Sequence, residues 1–222
     1  MNVDELRKSF LRHFPGEAGE LFYWVWNDVS VLHFDWKTYR ALFGTSPERV
    51  ELLNRVAGVF FGTVHRVLLY DVLLRLARLT DPAVTGHRKD RENAGLRQLV
   101  EKLKPRLAPA AHSDLEQQVD ELVTLCGPIR ENRDRRMAHS DLATALEYHP
   151  DPLPGVSRAQ VEEILSRIRA FINKLEWHTE RPQTDFTLVS ALGDAEVLLR
   201  KLKYAESQKE FSVEALRKKY GV

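Results

Sequence analysis

From Leu115 to Ile129 the apolar residues Leu115, Val119, Leu122, Cys126 and Ile129 recur at spacings of four, three, four and three. That period belongs to a helix with one face sealed against other helices, and an extended strand cannot satisfy it. Continuing the count puts Arg133 and Arg136 at the next two stripe positions. A guanidinium does not lose its charge, and burying it without a partner is costly. Either the helix leaves the core by Arg133 and the arginines are solvated, or the seam opens there into a polar site. The same run holds Arg130, Arg133, Arg135 and Arg136 within seven residues, then His139 and Asp141.

The rest of the chain repeats the helical period between clear breakers. Val3 to Phe14 reads as a short amphipathic helix stopped by Pro15-Gly16, and Glu17 to about Phe43 as an aromatic-crowded helix. Its cluster Phe22-Tyr23-Trp24-Val25-Trp26 suits a core, or alternatively a subunit interface. Ser46-Pro47 marks a helix start, cap followed by first-turn proline, and the pattern then runs to Leu79 before Thr80-Asp81-Pro82. Mixed apolar faces make this the expected central, most buried helix. Residues 81–92 read as a polar surface connection, and Asn93 to Lys104 as a helix stopped by Pro105. Ser113 is the expected cap of the stripe helix, with a kink or restart at Gly127-Pro128. After the loop Tyr148 to Gly155, Ser157 opens a helix to about His178, and Arg181-Pro182 breaks it. Phe186 to Ser207 and Phe211 to Tyr220 are read as two final helices. No period-two alternation bounded by hairpin turns stands out. The expected fold is all-α, an antiparallel helical bundle over residues 1–222 as one domain, its core at roughly 40–180 with added N- and C-terminal helices.

Composition narrows the function classes. Lysine and arginine number 33 against 32 acidic residues, so no overall basic field draws in a polyanion, and nucleic-acid binding requires a local patch. The lone Cys126 cannot form an intramolecular disulfide and fits a reducing, cytoplasmic setting. The apolar stretch Val56 to Leu74 is interrupted by His65, Arg66 and Asp71, so no membrane span is expected there. The sequence lacks a phosphate-binding Gly-rich loop, a dinucleotide fingerprint, a Gly-x-Ser-x-Gly elbow and a His-Glu-x-x-His zinc pair. His139-x-Asp141 alone does not make a metal site, so neither metal nor cofactor is expected. His33, His65 and His178 stand singly and read as hydrogen-bonded structural histidines.

What remains is arginine and histidine beside an aspartate. RNA cleavage by the 2′-hydroxyl needs a group of near-neutral pKa to move a proton, and imidazole is that group. It also needs fixed positive charge where the phosphorane gathers negative charge, which a guanidinium supplies. The nucleophile belongs to the substrate, so the protein need provide no other.

The run Arg133-Asp134-Arg135-Arg136-Met137-Ala138-His139-Ser140-Asp141 resembles the HEPN motif: an arginine, a polar residue after it, and a histidine four to six residues on. Leu52-Leu53-Asn54-Arg55, Arg78-Leu79-Thr80-Asp81-Pro82, Arg91-Glu92-Asn93 and Leu96-Arg97 resemble the abortive-infection (AbiU-type) branch of that superfamily. The resemblance implies a helical bundle that forms a symmetric homodimer with its two motifs facing each other. It further implies a metal-independent endoribonuclease of antiphage defence or toxin type, leaving a 2′,3′-cyclic phosphate. Carried over by position, Arg133 and His139 are the catalytic pair, and Asp134 fills the polar position where many members have asparagine. Arg130, Arg135 and Arg136 are then expected to bind flanking RNA phosphates, and any antitoxin or sensor to be a separate chain. The alternative is a HEPN-like module that binds RNA, nucleotide or a protein without cutting. Residues six apart on an unbroken α-helix point to different sides. Arg133 and His139 can therefore act together only where the helix ends or distorts, or across two subunits.

Overall fold

The computed structural model describes residues 3–85, 91–137, 155–188 and 193–220. Helices α1 (Val3–His13), α2 (Glu17–Tyr39) and α3 (Pro47–Leu79) come first, with a π-helical turn, Arg40–Gly44, between the last two. Strands β1 (Val84–Thr85) and β2 (Arg91–Glu92) pair antiparallel, Val84 opposite Glu92 and Thr85 opposite Arg91. Then follow α4 (Leu96–Leu103), α5 (Pro109–Leu125), α6 (Gly127–Asn132), α7 (Arg158–His178) and α8 (Ala195–Tyr220). The all-α reading holds, with the addition of a ladder whose two-residue strands are too short to show a period in the sequence.

Local chemistry sets most boundaries. Pro47 opens α3 at the position where its missing N–H costs nothing, and Ser46 bonds the Glu48 carboxylate and lowers its pKa. Ser157 and Gln160 form a capping box at α7, the Ser157 hydroxyl accepting from the Gln160 N–H at 3.2 Å while the Gln160 amide oxygen accepts from the Ser157 N–H at 2.8 Å. The stripe helix starts earlier than its serine suggests. Pro109 occupies its first turn after Ala108, so Ser113 lies inside α5. The expected restart is present: α5 ends at Leu125, and Pro128 stands in the first turn of α6. The C-terminal stretch forms one helix, α8, where two were expected.

The chain divides into two compact units. The first comprises residues 1–33 and 72–187. Its core takes Phe10, Phe22, Val25 and Val29 from α1 and α2, Val72, Leu76 and Leu79 from α3, and Leu96, Leu99 and Leu103 from α4. The complete predicted stripe, Leu115, Val119, Leu122, Cys126 and Ile129, is at most 1% exposed. It packs along α7, whose Ile164, Leu165, Ile168, Phe171 and Ile172 are equally buried. Phe22 turns inward while Trp24 is 41% exposed, so the aromatic cluster serves the core in part only. Arg181, beyond α7, lies over the Phe10 ring at 3.5 Å. The buried Glu176 carboxylate accepts from the Thr184 N–H and Oγ1–H, each at 2.8 Å. Burial raises the Glu176 pKa, and the two Thr184 hydrogen bonds work against that rise.

The second unit comprises residues 34–71 and 188–222. Leu42, Leu52, Leu53 and Phe61 form a buried cluster there with Ala195 and Leu199 of α8. The Tyr39 hydroxyl and His65 Nε2 are hydrogen-bonded at 3.0 Å. Here α3 is not the buried central helix expected of it. It breaks helical geometry at Ala57 and leaves Val59, Phe60 and Val67 exposed. By length and composition alone α3 could cross a membrane, and only 17% of its apolar window is buried, so it is not a core helix there.

Candidate active site

Where the stripe reaches Arg133, regular helix gives way to a π-helical turn, Arg133–Met137, that continues α6. Such a turn bonds i to i+5 and is rare, recurring at functional sites. Over Arg133–Met137 the register differs from that of a straight α-helix. His139 and Asp141 lie outside the described residues.

Arg133 is 21% exposed and carries two carboxylates. Its Nη1 donates to Asp81 Oδ1 at 2.8 Å and Oδ2 at 3.1 Å, and its Nε donates to Asp134 Oδ1 at 2.8 Å. Burial lowers the guanidinium pKa, but hydrogen bonds to Asp134 and Asp81 outweigh it and raise the net value. The cation is therefore fixed in charge and in direction. Arg133 is neither solvated nor sealed in the seam: it is partly exposed and paired with two carboxylates.

Arg130 turns inward one turn earlier. Its Nη2 donates to the Thr80 carbonyl and, at 2.9 Å, to Thr80 Oγ1, while Nη1 donates to the Val123 carbonyl at 3.2 Å. Its buried Nε has no hydrogen bond and lies 3.7 Å from Asp81 Oδ1. Two guanidiniums thus converge on one carboxylate. Arg135 is 16% exposed and donates to Glu131 at 2.7 Å, whereas Arg136 is exposed, as the solvated reading expects. The structure brings Arg130, Arg133 and Asp134 together and leaves Arg136 facing water.

Asp81 and Thr80 belong to the corner that carries the family resemblance, but the sequence alone assigns them no role at the site. They end α3, and the hairpin holds them there. The Asn93 N–H donates to the Ala83 carbonyl at 2.8 Å, and its side-chain amide donates to the Pro82 carbonyl at 2.7 Å. Gly95 packs so closely that a Cβ would stand 3.1 Å from the Leu79 carbonyl oxygen. The available signal was the Leu79-Thr80-Asp81-Pro82 corner itself, a carboxylate just before a proline at a helix end.

A family model of HEPN domains described as AbiU2 matches residues 16–198. The chain belongs to the AbiU2 HEPN family. This match takes in the arginine run, the Thr80-Asp81 corner and the Asn93 tether alike. No curated protein and no solved structure matches the chain. In this AbiU2 domain Arg133 is anchored from outside its own helix, by a residue fifty-two positions earlier.

Proposed function

We propose that this AbiU2 HEPN protein is a metal-independent endoribonuclease of abortive infection, active as a homodimer whose paired motifs form one site. The observation that carries the reading is Arg133, a permanently charged guanidinium oriented by Asp81 and Asp134 at the end of a buried seam. In the proposed reaction the RNA 2′-hydroxyl oxygen attacks the adjacent phosphorus, and His139 of one subunit takes its proton. The bond from phosphorus to the 5′-oxygen breaks, and that oxygen receives a proton from His139 of the other subunit. The products are a 2′,3′-cyclic phosphate and a 5′-hydroxyl, with atoms and charge in balance. Arg133 stabilises the negative charge gathered on the phosphorane. Asp134 and Asp81 orient Arg133, Arg135 and Arg136 meet flanking phosphates, and Arg130 holds the Thr80 corner.

One observation weighs against phosphate binding and catalysis by Arg133 alike. The Nε and Nη1 of Arg133 are both engaged by carboxylates, which reduces the positive potential left for a phosphate. End-group analysis separates cleavage from binding alone. Labelled RNA incubated with wild-type protein and a chelator is expected to yield cyclic-phosphate ends, and His139→Ala protein none. Salt-sensitive binding with no cleavage by wild type would replace the nuclease reading with the binding one.

A further inference from the structure

The first unit holds a cleft of about 650 Å³, a volume typical of ligand sites, with the half-exposed Trp24 on its wall. Spacings of three and four put Glu17, Glu20 and Trp24 on one face of α2, and Gln98 and Lys102 on one face of α4. Asp4 and Arg7 of α1 and Glu92 of β2 complete the charged lining. Gln98 stands out among these residues. It is 6% exposed, yet its side-chain amide, set in the wall of the cleft, makes no hydrogen bond among the described residues. Leaving a buried amide unmatched is costly, and an occupant with both donors and acceptors removes that cost.

Charge selects the occupant. The lining holds four carboxylates, Asp4, Glu17, Glu20 and Glu92, against two cations, Arg7 and Lys102. Both cations are already engaged. Arg7 donates to the two oxygens of Glu20 at 2.8 and 2.6 Å. Lys102 Nζ donates to Glu17 at 3.0 Å and to Glu92 at 3.2 Å. A phosphate would therefore meet no uncommitted cation and a surplus of like charge. A cation meets that surplus, an indole face and the Gln98 amide oxygen.

We propose that this cleft binds the guanidinium of an arginine carried on a partner polypeptide. A guanidinium is planar and weakly hydrated, so it stacks on the Trp24 indole more readily than a compact, strongly hydrated ammonium. Its N–H donors match Gln98 Oε1 and the Asp4 carboxylate, which makes no hydrogen bond among the described residues. The cleft is larger than one guanidinium and has room for adjoining peptide backbone, whose carbonyls suit the Gln98 NH₂ group. Free arginine fits less well, because its own carboxylate would enter the surplus of negative charge. None of these residues belongs to the arginine run, so the inference does not rest on the ribonuclease reading.

The test titrates the full chain with the blocked tripeptide acetyl-Ala-Arg-Ala-amide. Of the four tryptophan indole N–H signals in NMR spectra, the one missing from Trp24→Ala protein reports on the cleft. The arginine peptide is expected to move that signal saturably, in the high-micromolar to millimolar range. The same peptide with citrulline, alike in shape but uncharged, is expected to bind at least about tenfold more weakly. In anisotropy titrations with dye-labelled peptide, Trp24→Ala should weaken binding about three- to thirtyfold. Gln98→Leu, similar in volume, should weaken it about three- to tenfold with the melting temperature unchanged or raised, whereas a purely structural Gln98 would lower the melting temperature and spare binding. Four results overturn the proposal: a Trp24 signal that does not move, equal binding of the citrulline peptide, affinity untouched by both substitutions, or tighter binding there of free arginine or adenosine monophosphate than of the blocked peptide. Absence of RNA cleavage in a protein that still binds the arginine peptide would remove the nuclease reading alone.

Discussion

Removing the Asp81 carboxylate strikes the anchor of Arg133 without touching the arginine run. Asp81 and Arg133 are each 21% exposed, so their pair is only partly screened by solvent. Its hydrogen bonds at 2.8 and 3.1 Å join a charged donor to a charged acceptor, a type worth about 1.5–3 kcal/mol. Partial exposure takes the expected value to the lower end, about 1.5–2 kcal/mol. Asp134 is 59% exposed, so its bond to the same guanidinium is worth about 0.2–1 kcal/mol. A double-mutant cycle of Asp81→Ala with Arg133→Leu, read by urea unfolding, isolates the first coupling, and Asp134→Ala with Arg133→Leu the second. Asp81→Ala also strands Arg130, whose Nε lies 3.7 Å from the same carboxylate, so its single-mutant cost should exceed the coupling. For a chain of this size, a loss of 2 kcal/mol lowers the melting temperature by about 4–8 °C. An Asp81–Arg133 coupling no larger than that of Asp134–Arg133 would refute the reasoning, because exposure would then not rank the two pairs.

Three further outcomes follow from the same reading. His33 is 7% exposed and stacks on Phe186, and burial, aided by the Arg169 charge, lowers its pKa to about 4. The unfolded chain therefore binds this proton near pH 6.5 and the folded one near 4, so stability falls as pH drops through that window. Between pH 7 and 5 the loss is about 2 kcal/mol, and it should shrink in His33→Leu, as pH-dependent denaturation will show. Ser157→Ala removes the α7 cap and should cost about 1 kcal/mol in thermal melts, with Ser157→Gly costing less. Glu176→Ala strips the acceptor from the Thr184 N–H and Oγ1–H, and should destabilise by about 1–3 kcal/mol in denaturant titrations, more than any substitution at Arg136.

The fold was legible where one residue type punctuates it. Pro47, Gly127-Pro128 and Ser157 each set a boundary because their effect is local and needs no knowledge of neighbours. Ser113 misled because Pro109 had already opened the helix one turn earlier. The two C-terminal helices merged because no proline or glycine separates Ser207 from Phe211. The abrupt change from Ile129 to Arg133 showed that the seam turned polar, but no period links residue 133 to residue 81. The anchor is a tertiary contact between a helix end and a π-helical turn, and pairing at that range leaves no spacing to count. Nor does hydropathy distinguish an apolar helix covered by its own chain from one left bare, which is why the middle of α3 looked central.

The Asn93 staple across the Pro82 and Ala83 carbonyls has a consequence for variation between relatives. It closes the hairpin at its base, so the length of chain between Thr85 and Arg91 is uncoupled from the position of Asp81. Inserted residues would lengthen the loop and leave the carboxylate beneath Arg133 where it stands.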